Sequence, residues 1–265
     1  MQLIKAQAYG NDFLLVDADN IVSHGDLPSV ARRVCDRHRG IGADGLIVVK
    51  VSKGGAATSM FNQDGSRPEV SGNGIRCVGA WLAQLNQMQA GDATSVETDA
   101  GRKSLQLLEV DREHPARYRF RAGMGHPKDV RRQRFDLSSG SVDAVILNMG
   151  NPQCVVLGDV TESRLHSIGR ELATHVAFPN GTNVELATVE APDRLRILIW
   201  ERGVGPTEAS GTGACAAAVA AAAYGGAGRT VDVASPGGTQ RVEWTDDGVW
   251  LSGWAELVAT IDWLD

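Results

Sequence analysis

The hydrophobic positions of this chain fall mostly into short runs closed by Gly, Asn or Asp. LLVDADN, GLIVVKV, VDAVILNMG, PQCVVLGDV, RILIWER and GVWLSGWAELV are rich in β-branched and aromatic residues, the composition of strands. Helical spacing is rarer. Residues 27–39 carry Val30, Arg33 and Val34 at helical intervals, with Pro28 in the first turn. Residues 74–88 and 213–224 also read as helices. The second is Ala-rich and apolar all round, which predicts a buried helix. The polar, turn-rich stretch RRQRFDLSSGS at 131–141 reads as part of a boundary region near 115–140.

The pattern repeats. Ser71-Gly72-Asn73-Gly74 precedes one apolar helix and Ser210-Gly211-Thr212-Gly213 precedes the other, 139 residues later. Gly10-Asn11 opens GNDFLLVD, and Gly150-Asn151 opens GNPQCVVL at an offset of 140. MFNQDGS at 60 and IWERGVG at 199 keep the 139-residue spacing. Three anchors at one offset imply a duplicated unit. The expected fold is therefore α/β (α+β), with two pseudo-symmetric domains, 1–125 and 126–265. Each is a mostly antiparallel sheet wrapped around a central helix. The C-terminal strand is expected to pair back onto the first domain.

Composition narrows the function. With 26 Lys and Arg against 32 Asp and Glu, the 265-residue chain carries a formal charge of −6. That is a poor balance for nucleic acid, which selects basic surfaces. No apolar run approaches the roughly 18 residues of a membrane span, and the N-terminal stretch lacks a secretory pattern. Cys35, Cys77, Cys154 and Cys215 are far apart, against a zinc site or a disulfide framework. A reducing cytoplasm is the expected setting. The histidines His24, His38, His114, His126, His166 and His175 show no metal spacing, so no metal is expected.

The chemistry is sought at the two Ser-Gly-x-Gly entries. The first N–H groups of a helix lack intrahelical partners and carry the positive end of its dipole. Glycines allow a ligand close, so such a terminus suits a carboxylate or phosphate. The bland reading is a serine N-cap and a turn. The duplication favours a shared task. Asn62, Asp64 and Asn183 lie in polar loops nearby in sequence, and Glu201-Arg202 end an apolar strand shortly before Ser210. An Arg fork for carboxylate and a Glu for ammonium would suit a small zwitterion, although a solvated ion pair is the plainer reading. No phosphate-loop or dinucleotide signature is present. Cys77 and Cys215 fall inside the two helices and read as core residues.

YGNDFLLVD (9–17), RHRGIGADGLIVV (37–49), FNQDGSRPEVSGNGIRC (61–77), NMGNPQC (148–154), NGTNVEL (180–186) and WERGVGPTEASGTGACAAAVA (200–220) span nearly the whole chain. Together they resemble the diaminopimelate epimerase family of cofactor-independent amino-acid racemases and epimerases. The resemblance implies paired α/β domains with an active site in the cleft between them. It implies no cofactor, a small amino acid as the partner, and a compatible homodimer. In this resemblance a thiolate/thiol pair of cysteines moves the Cα proton, and those positions fall on Ser71 and Ser210. A histidine of the family falls on Gln153. Asn11, Asn62, Asn151 and Asn183 would contact substrate. Gly72-Asn73 and Gly211-Thr212 would bind the α-carboxylate through backbone N–H groups. Glu201 and Arg202 would hold the amino and distal carboxylate ends. Some members carry Gln where this chain has Gly45.

A thiol of pKa ~8.5 is readily lowered at a helix N-terminus. An alkoxide is harder to make by roughly five pKa units, or about 7 kcal/mol. A serine therefore needs a partner, and Gln153 cannot act as one by accepting a proton. The expected activity is an isomerase interconverting LL- and meso-diaminopimelate or a related amino acid, a lysine and cell-wall precursor. Catalytic positions are Ser71, Ser210 and Glu201. The alternatives are an altered or inactive homologue that binds an amino acid, by nature or through an engineered Cys-to-Ser exchange, and another isomerase or eliminating enzyme of the same fold.

Overall fold

Short apolar runs between glycine-bearing turns fold here into a sheet-dominated α+β structure. The computed structural model describes residues 1–21, 25–68, 71–99 and 101–264. Two units emerge: unit 1 comprises Met1–Ala122 with Gly253–Asp265, and unit 2 comprises Gly123–Ser252. In chain order the elements are β1 (Gln2–Ala8), β2 (Asn11–Asp17), α1 (Ala18–Ile21), α2 (Leu27–Cys35), β3 (Gly45–Ser52), β4 (Gly55–Asn62), α3 (Gly72–Leu85), β5 (Ala93–Thr98), β6 (Gly101–Val110) and β7 (Arg117–Gly125). There follow β8 (Lys128–Leu137), β9 (Gly140–Asn148), β10 (Pro152–Leu157), α4 (Glu162–Arg164), a π-turn (Leu165–Gly169), α5 (Arg170–Ala173), β11 (Asn183–Ala191), β12 (Arg194–Glu201) and β13 (Gly205–Thr207). The chain ends with α6 (Gly211–Ala220) and its π-turn (Ala221–Gly225), β14 (Thr230–Ser235), β15 (Gly238–Thr245) and β16 (Gly248–Asp262).

The duplication read in the sequence is a duplication of strand order. Unit 1 runs β16-β1-β2-β3-β4-β5-β6-β7 and unit 2 runs β8-β9-β10-β11-β12-β14-β15-β16. In unit 1, β2–β3 and β4–β5 are parallel; in unit 2, β10–β11 and β12–β14 are parallel. The other pairs within each order are antiparallel. Residues 253–262 of β16 thus occupy in unit 1 the place that β8 holds in unit 2. The expected domain division at 125/126 compares with a change of unit at Ala122/Gly123, inside the unbroken β7.

Each unit surrounds one helix. Residues Gly72–Ala83 of α3 and every residue of α6 are buried. Small residues bring α3 against the sheet: a Cβ on Gly79 would stand 2.8 Å from Leu105 Cδ1. Around the sheets, one core gathers Leu3, Leu14, Leu46 and Phe61, and another Phe135, Cys154, Leu172 and Leu186. Full burial of such a side chain contributes roughly 1.5–3 kcal/mol.

Several boundaries differ from the sequence reading. Residues 131–141, expected to be turn-rich boundary sequence, are mostly strand β8 and its turn into β9. Alternating charges hid the strand, because only Phe135 and Leu137 of β8 are buried. Helix α2 stops at Cys35 rather than 39, since Asp36 turns extended at ψ 121°. Its start is as expected: Asp26 caps it by accepting from Ser29 N, and Pro28 lies in the first turn. Both central helices begin two residues earlier than read, at Gly72 and Gly211. Ala18, Asp19 and Asn20, read as the end of a strand, lie in the helical turn Ala18–Ile21. The helical segment at 162–173 went unread.

Candidate active site

Ser71 and Ser210 are the N-caps of α3 and α6. Their backbones are extended, with φ/ψ of −127°/113° and −136°/127°. Ser71 Oγ accepts from Gly74 N at 3.0 Å, and Ser210 Oγ from Gly213 N at 3.1 Å. The plain capping role is therefore real at both positions. It also fixes where each hydroxyl sits, at the positive end of a buried helix dipole. Gly72-Asn73 and Gly211-Thr212 form the first turns, where a helix offers N–H groups to an anion.

In unit 1 the asparagine predicted from GND is tied to this helix. Asn73 Nδ2 donates to Asn11 Oδ1 at 3.3 Å, and Asn11 Nδ2 donates to Asp44 Oδ2 at 2.7 Å. Arg76, fully buried, donates to Asn73 Oδ1 at 2.5 Å and lies by the Tyr9 ring. Asp44 and Asp12 share Arg37 at 2.8 and 2.7 Å, and Lys5 donates to Asp12 at 2.5 Å and to the Gly42 carbonyl. Burial opposes the Asp12 charge, but hydrogen bonds from Arg37 and Lys5 outweigh it and hold the carboxyl below its ordinary range. A mostly apolar recess lined by Ile47, Met60, Ile75 and Val78 adjoins Ser71.

Asn62 is engaged in its own turn, donating to Ser66 Oγ at 2.9 Å, while Asp64 accepts from the Ser66 N–H and hydroxyl. Gly45 pairs with Asn62 across β3 and β4. A Cβ there would come 2.7 Å from the Phe61 carbonyl oxygen, so a side chain at this position would require the backbone to shift.

Unit 2 repeats the asparagine–helix contact. Asn151 Nδ2 lies 3.3 Å from Thr212 Oγ1, as Asn73 meets Asn11 in unit 1. The turns before both asparagines use left-handed glycines, Gly10 at φ 83° and Gly150 at φ 99°. Asn183 is held by the Pro152 carbonyl at 3.3 Å, and its Oδ1 accepts from Arg202 N at 2.9 Å. The Arg202 guanidinium reaches the Asn180 carbonyl oxygen at 3.2 Å. Glu201, at the end of β12, is partly buried.

Two residues matter more than sequence reasoning assigned. Glu185 is 0 % exposed and stands against the first turn of α6, where a Cβ on Gly213 would lie 2.6 Å from its Oε1. Burial first, and then the Glu201 carboxylate, push its carboxyl well above the ordinary range. Gln153 is 1 % exposed and its amide contacts both Glu185 and Asn151. The period-two alternation of NVEL carried the signal, since it puts Asn183 and Glu185 on one face of a strand. The four cysteines are buried, and burial pushes the Cys77 and Cys35 thiols up to about 12. Among the described residues no group of three or more His, Cys, Asp or Glu side chains forms a metal cradle. His24 lies outside the described residues. No helix among them is long and apolar enough to cross a membrane.

Two units of identical strand order, each around a serine-capped helix, define an architecture also found in solved epimerase structures. A hydroxyproline epimerase from Agrobacterium vitis matches with a TM-score of 0.69 at 14% identity, over 98% of this chain and 90% of that one. A structure described as a predicted epimerase from Pseudomonas aeruginosa matches at 0.75 and 14% identity, over 100% and 99% of the two chains. These likenesses establish the fold alone.

The family follows from sequence. The family profile for diaminopimelate epimerase matches residues 3–128 and 145–258. The diaminopimelate epimerase of Desulforudis audaxviator is 40% identical over 100% of this chain and 99% of its own length. That of Moorella thermoacetica is 39% identical over 96% and 95%. The chain belongs to the diaminopimelate epimerase family.

Proposed function

We propose that this protein is an isomerase that removes and returns the proton at Cα of diaminopimelate or a closely related amino acid. The observation that carries the reading is the pair of serine-capped helix entries set in a full-length family match. Gly72-Asn73 and Gly211-Thr212 bind the α-carboxylate through backbone N–H groups. Those same donors stabilise the enolate-like charge that develops when the α-proton leaves. Asn11, Asn62, Asn151 and Asn183 orient the substrate, with Glu201 on the ammonium and Arg202 on the distal carboxylate. Ser71, Ser210 and Glu201 are the proton carriers. No cofactor enters the scheme. The protein works in the cytoplasm, and a homodimer is compatible with it.

A second reading has its own support. Family resemblance puts cysteines at positions 71 and 210 and a histidine at 153; here both hydroxyls cap their own helices, and position 153 holds a glutamine, which cannot take a proton. In that reading the protein binds the amino acid and turns it over slowly or not at all.

Proton NMR of LL-diaminopimelate and a panel of amino acids in D2O separates the two. The protein is compared with its Ser71→Cys/Ser210→Cys double variant. Loss of an α-proton signal with the unaltered protein supports the isomerase and identifies its substrate. Exchange by the double variant alone supports the binding reading. Exchange by neither, together with no ligand detected by calorimetry, would overturn both.

A further inference from the structure

A buried carboxyl with no role in the scheme above lies at one end of a line of polar side chains whose other end is Ser210. Glu185 on β11 meets one end of the Gln153 amide, with Oε1 at 2.8 Å and Oε2 at 3.3 Å. The other end of that amide lies 2.7 Å from Asn151 Oδ1. Asn151 Nδ2 lies 3.3 Å from Thr212 Oγ1, and Thr212 Oγ1 lies 3.4 Å from Ser210 Oγ. Every member except Asn151 is nearly inaccessible to solvent.

The two amides have only two mutually consistent orientations, because each has one donor end and one acceptor end. The Thr212 hydroxyl, which also stands 3.2 Å from the Asn151-facing end of the Gln153 amide, and the Ser210 hydroxyl rotate to follow them. When Glu185 is neutral, its O–H donates to Gln153 Oε1. Gln153 Nε2 then donates to Asn151 Oδ1, Asn151 Nδ2 to Thr212 Oγ1, and the Thr212 hydroxyl to Ser210 Oγ. Ser210 Oγ also accepts from Gly213 N, so its own proton points away from the line. When Glu185 is ionised, it can only accept. Gln153 must turn its NH2 to the carboxylate, which sets its oxygen against Asn151 Oδ1 unless Asn151 turns as well. The Thr212 hydroxyl then donates to Asn151, and the Ser210 hydroxyl donates inward to Thr212. A partial reversal would leave two acceptors 2.7 Å apart in a buried site, so the amides turn together.

We propose that Glu185 is a positioning residue whose protonation sets the direction of the Gln153–Asn151–Thr212 hydrogen-bond line, and thereby whether the Ser210 hydroxyl points out as a proton donor or inward. In the neutral state Ser210 is set to give a proton; in the ionised state it presents a lone pair. The surroundings of Glu185 favour the neutral state. Burial and the Glu201 carboxylate from β12 act in that direction, and the buried Cys154 thiol from β10 also faces it. The first turn of α6, the positive end of its dipole, pulls the other way without reversing the balance. The consequence for turnover rests on the isomerase reading. The line itself does not.

The test therefore reads the line directly, in the full chain without substrate. Infrared difference spectra of protein carrying 13C-labelled Glu, set against Glu185→Gln, assign the Glu185 carbonyl band. Side-chain NMR signals of 15N-labelled Gln153, assigned with Gln153→Leu, report the amide. We expect a protonated-acid band for Glu185 at neutral pH. Raising the pH should convert it to carboxylate, with the Gln153 NH2 signals shifting at the same midpoint. Glu185→Gln should hold those signals fixed across the titration. A carboxylate band at neutral pH, or a titration that leaves the Gln153 signals unmoved, would overturn the proposal. Should Glu185→Gln fail to fold, Glu185→Asp serves for assignment. Where α-proton exchange is detected, its pH profile should bend at the same midpoint. Where none is detected the isomerase reading fails, while the spectra still decide the line.

Discussion

Glu185 Oε1 lies 2.6 Å from where a Cβ on Gly213 would stand, so the first turn of α6 closes directly onto a buried carboxyl. The matching glycine of unit 1, Gly74, faces the ends of Ile47 and Met60 at 3.0 and 3.1 Å. Flexible methyl groups can yield by a few tenths of an ångström; a carboxyl fixed by its hydrogen bonds cannot. Gly213→Ala is expected to destabilise the protein by about 1–3 kcal/mol. Gly74→Ala should cost less. Urea unfolding of both variants checks the order, and a reversed order would mean that Glu185 has room to move.

Asp12 links acid stability to the polar network around Asn11 in unit 1. Its folded carboxyl is held below the ordinary range, so its contribution is present above the unfolded value of about 3.9 and is lost as pH falls through the folded one. Asp12→Asn should lower the melting temperature at neutral pH and flatten its decline on acidification. A calorimetric series from neutral to acid pH measures both. An unchanged acid limb would show that Arg37 and Lys5 do not hold the charge as described.

The thiols give a simple control on any claim that cysteine compensates for the serines. Cys35, Cys77, Cys154 and Cys215 are buried, and the reactive species is the thiolate. Iodoacetamide at pH 8 should leave the folded protein essentially unmodified and label all four after denaturation, as read by intact mass. Rapid labelling of Cys77 or Cys215 in the folded state would reopen a catalytic role for them.

What could be read from the chain alone followed the length of the pattern. The duplication was legible because equivalent turns keep equivalent residues. Gly10 and Gly150 supply the same left-handed conformation, and Ser71 and Ser210 the same cap. The entries were recognisable from chemistry that needs specific residue types. Strand β8 was not, because most of its residues face solvent and its charges read as a polar, turn-rich boundary. Glu185 was overlooked for the converse reason. An acidic residue is seldom fully buried, and nothing local announces that its neighbours across the sheet exclude water. The contacts around Asn11 join Lys5, Arg37 and Asp44, residues brought together by pairing of β1, β2 and β3 and by the fold of the segment between α2 and β3.

Because residues 253–262 of β16 complete unit 1, the half of the chain synthesised first is the half finished last. While the ribosome is still at work, β1 waits with one edge open, its partner sequence not yet made. Unit 2 draws all of its strands from residues 123–252, so it can close before unit 1 does. Domains often fold in the order of their synthesis. Here the order is inverted for the final step, and synthesis of residues 253–262 governs when the N-terminal half becomes whole. A nascent chain stalled before Gly253 would thus carry an exposed strand edge at β1, available to any neighbouring chain in the same state.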